Sequence, residues 1–124
     1  MKETKAEKDA RHDWYRKVLG KSGCWFETWM PHKCEGPMDP MHMLPKQSLK
    51  QQASLRKLSV KERIELVWDT RNGLPGCRTM HSRMDNRGLR VYQHQLPKQV
   101  IEFAEENDLI WLLDNRYPKS EVER

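Results

Sequence analysis

The stretch Trp68 to Asp85, WDTRNGLPGCRTMHSRMD, decides how this chain is read. Its first part, Arg71 to Gly76, combines Asn-Gly and Pro-Gly dipeptides, which is turn chemistry. Its second part opens a helix after Cys77, and a spacing of four places His81 and Asp85 on one face of that helix. Upstream, Ser59 precedes VKERIELVW with Glu62 three residues later, the capping-box pattern of a helix start, so a helix is expected to run to Trp68 or Asp69. Residues 46–58, KQSLKQQASLRKL, are polar and basic and read as a helical turn or mobile loop. From Cys24 through Pro45 the chain carries four prolines and Gly36 with no sustained periodicity, which implies irregular backbone; irregular backbone rich in ligand types is often tied down by an ion.

Nearer the start, Trp14, Tyr15, Val18 and Leu19 share one side of a helix that Gly20 ends, after a charged, frayed extension over residues 1–13. Beyond Asp85, Gly88 closes the His81 helix, and Leu89 to Tyr92 alternate as a short extended segment. Leu96-Pro97 opens a helix through about Asn107 with Val100, Ile101, Phe103 and Ala104 inward. IWLLDNRYP, residues 110–118, packs a last apolar segment onto the body, so residues 97–118 make a carboxy-terminal helical segment, and residues 119–124 form a polar tail. The expected architecture is one α+β domain of low strand content.

Composition narrows the function classes. The chain has 124 residues, 36% hydrophobic and 33% charged, so its apolar core is small for its length. Five Trp, three Tyr and two Phe speak against a disordered chain. A formal net charge of +5, from 23 Lys and Arg against 18 Asp and Glu, suits a polyanionic partner, although ordinary solubility charge reads the same way. No stretch approaches the roughly 18 apolar residues of a membrane span, and the lysine-rich start runs into no apolar signal core, so a soluble, intracellular protein without a membrane partner is expected. Cys24, Cys34 and Cys77 are an odd set, and beside histidines they favour a metal over a disulfide; buried free thiols are the plainer alternative.

Two pieces of sequence carry a resemblance: CEGPMDPMHMLPK over residues 34–46 and the stretch quoted above. Together they resemble the HNH (ββα-metal) nucleases, in the style of the small HNH proteins common in bacteriophage genomes. The resemblance covers roughly residues 14–118, but its specific motifs occupy only 34–45 and 71–85. It implies a ββα-metal finger over about residues 36–86 with flanking helices, and divalent-metal-dependent hydrolysis of DNA. By the same resemblance His42 is the general base, Asn72 fixes the loop between the strands, and His81 binds a catalytic Mg2+ or Mn2+. A histidine suits the first role because its unperturbed pKa of about 6.5 lies near neutrality. Arg71, Arg78 and Lys46 are candidates for holding DNA phosphates. Host cytoplasm is the implied location, with DNA as partner and phage packaging or other phage proteins as further ones.

The chain departs from the family pattern twice. The family places Asp or His immediately before the base histidine as a metal ligand, where this chain has Met41, and a thioether is a poor ligand for a hard ion. Asp39, on the same side of an extended strand as Met41, reaches the ion if the backbone bulges at Pro40; Asp85 is the other candidate. Relatives also carry two CxxC pairs for a structural zinc, whereas here the first is stretched to Cys24 and Cys34, and Met80 replaces the last cysteine. His32 is available as a fourth zinc ligand beside the three thiolates. If His81 were drawn into that zinc instead, it would be lost to catalysis. Two rivals stay open: a catalytically inactive, zinc-stabilised DNA-binding module, and a phage packaging or interaction protein. A Cys/His hydrolase is weaker, because all three cysteines read better as ligands.

Overall fold

Two five-residue strands, β1 (Met38–His42) and β2 (Gly73–Cys77), pair antiparallel as a two-stranded sheet. They form the centre of the computed structural model, which describes residues 3–21, 23–86 and 88–119. The register pairs Asp39 with Gly76, Met41 with Leu74, and Pro40 with Pro75. The ladder continues at both ends, through Met43 N–H to the Asn72 carbonyl at 2.9 Å and Arg78 N–H to the Pro37 carbonyl at 3.0 Å. Counting in twos from those bonds puts the facing prolines at a non-hydrogen-bonded position, where a missing N–H costs nothing. Sequence reading expected a turn across RNGLPG. The turn is confined to Thr70–Asn72, and GLPGC is the second strand because a partner with proline at the matching position accepts it.

The helices among the described residues wrap this ribbon. They are α1 (Lys5–Leu19), α2 (Lys46–Leu55), α3 (Val60–Val67), α4 (Arg78–Asp85), α5 (Lys98–Glu106) and α6 (Ile110–Arg116). A mixed, mainly helical chain with one small antiparallel sheet is the expected α+β class with low strand content. The start of α1 departs from the frayed extension: Thr4 and Glu7 form a capping box, and the same Glu7 carboxylate takes Arg63 of α3 at 2.8 Å. Helix α3 begins at the Ser59–Glu62 capping box as read from sequence. Residues 46–55 are a regular helix, anchored by Leu49 and Ala53 at a spacing of four and buried to 0% and 2% exposure. Helix α4 ends at Asp85, before Gly88, and Leu89–Tyr92 joins no strand although Leu89, Val91 and Tyr92 are buried. Of the polar tail, residues 120–124 lie outside the described residues.

Helix α1 crosses one face of the ribbon at unusually close range. A Cβ at Gly73 would sit 2.4 Å from Val18 Cγ2 and 2.6 Å from Trp14 Cζ2, so only glycine fits there. On the other face, a Cβ at Gly76 would meet Met41 Sδ at 2.6 Å and Phe26 at 2.8 Å. We expect Gly73→Ala to destabilise the fold by about 1–3 kcal/mol through overpacking, read as a lower urea midpoint at unchanged m. Behind α1, Lys21 Nζ donates to the carbonyls of Thr70 and Gly73 at 2.9 and 2.8 Å and pins the start of β2. At the far end, the Tyr117 hydroxyl donates to the Met43 carbonyl at 2.5 Å, tying the segment after α6 to the end of β1.

Candidate functional site

Side chains alternate along β1, so Asp39 and Met41 share one face and Pro40 and His42 the other. Asp39 faces α4, where its Oδ2 lies 3.1 Å from His81 Nδ1. The other ring nitrogen of His81 is 3.2 Å from Asp85 Oδ2, one turn further along α4. Arg78, on the first turn of that helix, places Nη2 3.0 Å from Asp39 Oδ1. Burial alone would raise the pKa of Asp39, but the hydrogen bonds from Arg78 and His81 outweigh it and hold the carboxyl below its usual range. No bulge at Pro40 is needed for this contact, because the register through Pro40 is regular. Met41 is 1% exposed and packs over Gly76, away from solvent. Among the described residues no third donor closes on the Asp39–His81 pair to make a larger ligand group.

His42 looks the other way. Its ring stacks on Trp14 at a centroid distance of 4.1 Å and meets the Trp68 ring edge-on at 5.2 Å. Its Nε2 lies 2.9 Å from the Val67 carbonyl, which only accepts, so Nε2 carries the proton and Nδ1 the lone pair. Burial pushes the pKa of the ring down to about 4; the Val67 bond opposes this, and the charges of Lys46 and Lys50 on α2 add to it. The sign of the pH effect follows. The unfolded chain, with a histidine near 6.5, binds more protons than the folded one between about pH 4 and 6.5, so stability is complete above that window and declines as pH falls through it. A loss on the order of 3 kcal/mol is expected. Urea midpoints at pH 7 and 4.5 should diverge more for the native chain than for His42→Phe.

Asn72 joins the two faces. It is fully buried, accepting from Leu44 N–H at 2.8 Å and donating to the Leu44 carbonyl at 3.0 Å. The amide therefore clips the chain just after His42 to the start of β2. Replacing it with alanine strands a buried donor and a buried acceptor, and Asn72→Ala is expected to cost about 2–3 kcal/mol in chemical denaturation.

A second cluster lies where the lead-in to β1 meets the start of α4. The ligand atoms of Cys24, His32, Cys34 and Cys77 all fall within 4.8 Å of one another, so these four residues are positioned to bind a metal ion. All three cysteines are free. His32 Nδ1 donates to the Met30 carbonyl at 2.8 Å, which leaves the Nε2 lone pair facing the sulfurs of Cys24, Cys34 and Cys77 at 3.8, 3.2 and 3.5 Å. An outer carbonyl that orients a ligand imidazole in this way is a usual partner of a metal-bound histidine. Burial raises the Cys77 thiol, but backbone amides of Met80 and Glu35 outweigh it and leave the group below its ordinary value. The Cys77 amide in turn donates to Cys24 Sγ at 3.3 Å. Because His32 completes this set and His81 stands at the other one, the two assignments do not compete for one ring.

The remaining expected residues separate. Arg71 is held by Asp69, with Nη2 at 2.9 Å, and by Glu106, and lies over the Phe103 ring, so it braces α5 against the turn before β2. Arg78 is bonded to Asp39 but keeps 62% of its side chain exposed. Lys46 opens α2 beside His42. Sequence reasoning missed Glu27, whose carboxylate accepts from Cys34 Sγ at 2.8 Å and raises that thiol's pKa, and it missed Trp14 as the platform for His42. Neither carried a motif signal: Glu27 and Cys34 meet seven residues apart through irregular backbone, and Trp14 meets His42 where α1 crosses the ribbon. No family model, curated protein or solved structure matches this chain.

Proposed function

We propose that the protein is a divalent-metal-dependent DNA endonuclease of the ββα-metal (HNH) type, with a structural zinc. The observation that carries this reading is the doubly paired ring of His81. A neutral imidazole has one N–H, so carboxylate oxygens at 3.1 and 3.2 Å from its two nitrogens require either a second ring proton or a cation shared between one nitrogen and its carboxylate. The Asp39–His81 separation also suits such a cation, because ligand bonds of about 2.1 Å meeting at a right angle put two donors roughly 3 Å apart. Two protein donors are the usual complement for a magnesium ion that takes its other ligands from water and phosphate. When bound, a divalent ion there supplies Lewis-acid stabilisation of the leaving oxyanion.

The chain's own residues take the other parts. Asp85 fixes the tautomer and plane of His81. Arg78, anchored on Asp39 and largely exposed, meets phosphate oxygens, and Lys46 adds charge beside them. His42 faces the opposite side of β1 from the Asp39–His81 pair, so its part is to pack the ribbon against Trp14, and the general-base role that the resemblance gave it does not fit this geometry; Asn72 holds the backbone that follows it. For the second cluster, zinc bonds of about 2.3 Å to sulfur and 2.0–2.1 Å to nitrogen give tetrahedral edges of roughly 3.6 Å, in line with the His32 to sulfur distances of 3.2 to 3.8 Å.

Supercoiled plasmid incubated with magnesium, manganese or excess chelator tests the proposal; nicking that needs the added divalent ion is expected. Two observations favour a second reading. Met41 is turned into the core, and His42, with a pKa of about 4, is a weak acceptor at neutrality. A binding module without catalysis follows from that, and it retards plasmid in a salt-dependent way while leaving it supercoiled in every metal.

A further inference from the structure

Asp85 is an ill-placed carboxylate by local rules. It is the last residue of α4, where the negative end of the helix macrodipole disfavours an acid, and its side chain is 52% exposed. Such an aspartate gains by swinging into water, yet its Oδ2 lies 3.2 Å from His81 Nε2. The other oxygen meets a cation from outside the helix. Arg116, the last residue of α6, places Nη2 3.6 Å from Asp85 Oδ1. That is an ion-pair distance rather than a hydrogen bond, so its effect depends on how firmly the guanidinium is held. Tyr117 holds it. Arg116 Cζ lies 5.6 Å from the centroid of that ring, and Nε donates to the Tyr117 hydroxyl at 3.3 Å. Tyr117 is buried to 2% exposure and donates in turn to the Met43 carbonyl at 2.5 Å. Gln93 pins the same segment, its Nε2 donating to the Tyr117 carbonyl at 2.9 Å and its backbone N–H to the Pro118 carbonyl at 3.0 Å.

These contacts make a loop. It leaves the ribbon at Met43, just past β1, passes through Tyr117, Arg116, Asp85 and His81, and returns to β1 at Asp39. We propose that Arg116 is a positioning residue of the cation site, holding Asp85 so that His81 Nδ1 stays turned to Asp39. The assignment rests on the nuclease reading and deepens it, since it names the residue outside the ββα finger that orders the ligand ring. Charge alone predicts the opposite effect. A guanidinium repels a nearby divalent ion, so an Arg116 that acted only through its charge would, when removed, let the ion bind more tightly. An Arg116 that acts through Asp85 makes the ion bind more loosely when it is removed.

Manganese affinity of the zinc-loaded full chain, read from the electron paramagnetic resonance signal of the free ion, tests this. Arg116→Ala should weaken manganese about three- to tenfold, less than the roughly 10–100-fold typical of a residue that touches the ligand itself. The side chain is 30% exposed, so the fold should survive. Arg116→Lys keeps the charge but not the planar fork that reaches both Tyr117 and Asp85, and should weaken manganese as well. In an Asp85→Asn background Arg116→Ala should cost nothing further, because a role exerted through Asp85 disappears with it. Unchanged or tighter manganese in Arg116→Ala, or an undiminished further loss in the Asp85→Asn background, overturns the proposal. Carbon-13 relaxation of the His81 ring, without added magnesium or manganese, reads the positioning apart from the ion, and a more mobile ring in Arg116→Ala is expected. A native chain that binds no manganese sinks the cation reading. The ring then decides alone: greater mobility in the variant keeps Arg116 as the residue that orders His81, and equal mobility removes it.

Discussion

Removing the zinc proposed for the Cys24, His32, Cys34 and Cys77 set is expected to unfold most of the chain. These four donors join three separate pieces: the turn after α1, the irregular lead-in to β1, and the junction of β2 with α4. Apart from backbone bonds of Arg78 and Thr79 to Pro37 and Glu35 and the packing of Met30 on the core, only this set ties the lead-in to the rest. Residues 30–37 form no regular structure, and Cys34 is only half-buried. Structural zinc in small domains contributes on the order of 10 kcal/mol, against total stabilities of about 5–15 kcal/mol for ordinary domains. The loss therefore exceeds what the apolar cluster can offset in so polar a chain, with a mean hydropathy of -0.98. Cys77→Ser should show the same result by circular dichroism without a chelator, along with about one equivalent less zinc by elemental analysis. Glu27→Gln should fold with its zinc, because that carboxylate touches only Cys34 among the four.

The second large effect concerns catalysis. His81→Ala and Asp39→Asn are each expected to lower plasmid nicking at least about a thousandfold, which corresponds to about 4 kcal/mol of transition-state stabilisation. Both remove a donor from the same proposed cation, and both residues are partly exposed, so the fold should survive; side-chain exposure is 27% for His81 and 18% for Asp39. Asp85→Asn acts through the His81 ring, and about 10–100-fold is the expected loss. Arg78→Ala should raise the dependence on DNA concentration more than it lowers the maximal rate, because an exposed guanidinium binds substrate and transition state alike. Variants that bind DNA normally and differ only in rate would separate these roles from charge alone.

How much of this was legible in the sequence depends on whether the signal was local. The Ser59–Glu62 capping box and the pairing of His81 with Asp85 along α4 are spacings of three and four residues, and both stand in the structure. The four-donor set was legible as chemistry, because three cysteines and a nearby histidine in irregular backbone have few other uses. The second strand was not, since Gly-Leu-Pro-Gly is turn chemistry until a partner strand with Pro40 at the matching register is supplied. Helix α2 was obscured because only Leu49 and Ala53 anchor it, too few for a periodic pattern. Arg71 read as a phosphate ligand because Glu106, the second of its two carboxylate partners after Asp69, lies 35 residues away. The burial of His42 against Trp14 and Trp68 belongs to the crossing of α1 over the ribbon, which no window of sequence contains.

The placement of a cation between Asp39 and His81 is open to one direct measurement. Manganese titrated at substoichiometric levels into the zinc-loaded chain broadens the NMR signals of groups within reach of the bound ion. The account predicts that the His81 ring broadens first, that Asp39→Asn abolishes this selectivity, and that the His32 ring stays sharp. Broadening that begins at Glu62, Glu65 and Glu106, which line a separate cleft together with Arg56 and Arg71, or that spreads evenly over the surface, would contradict it.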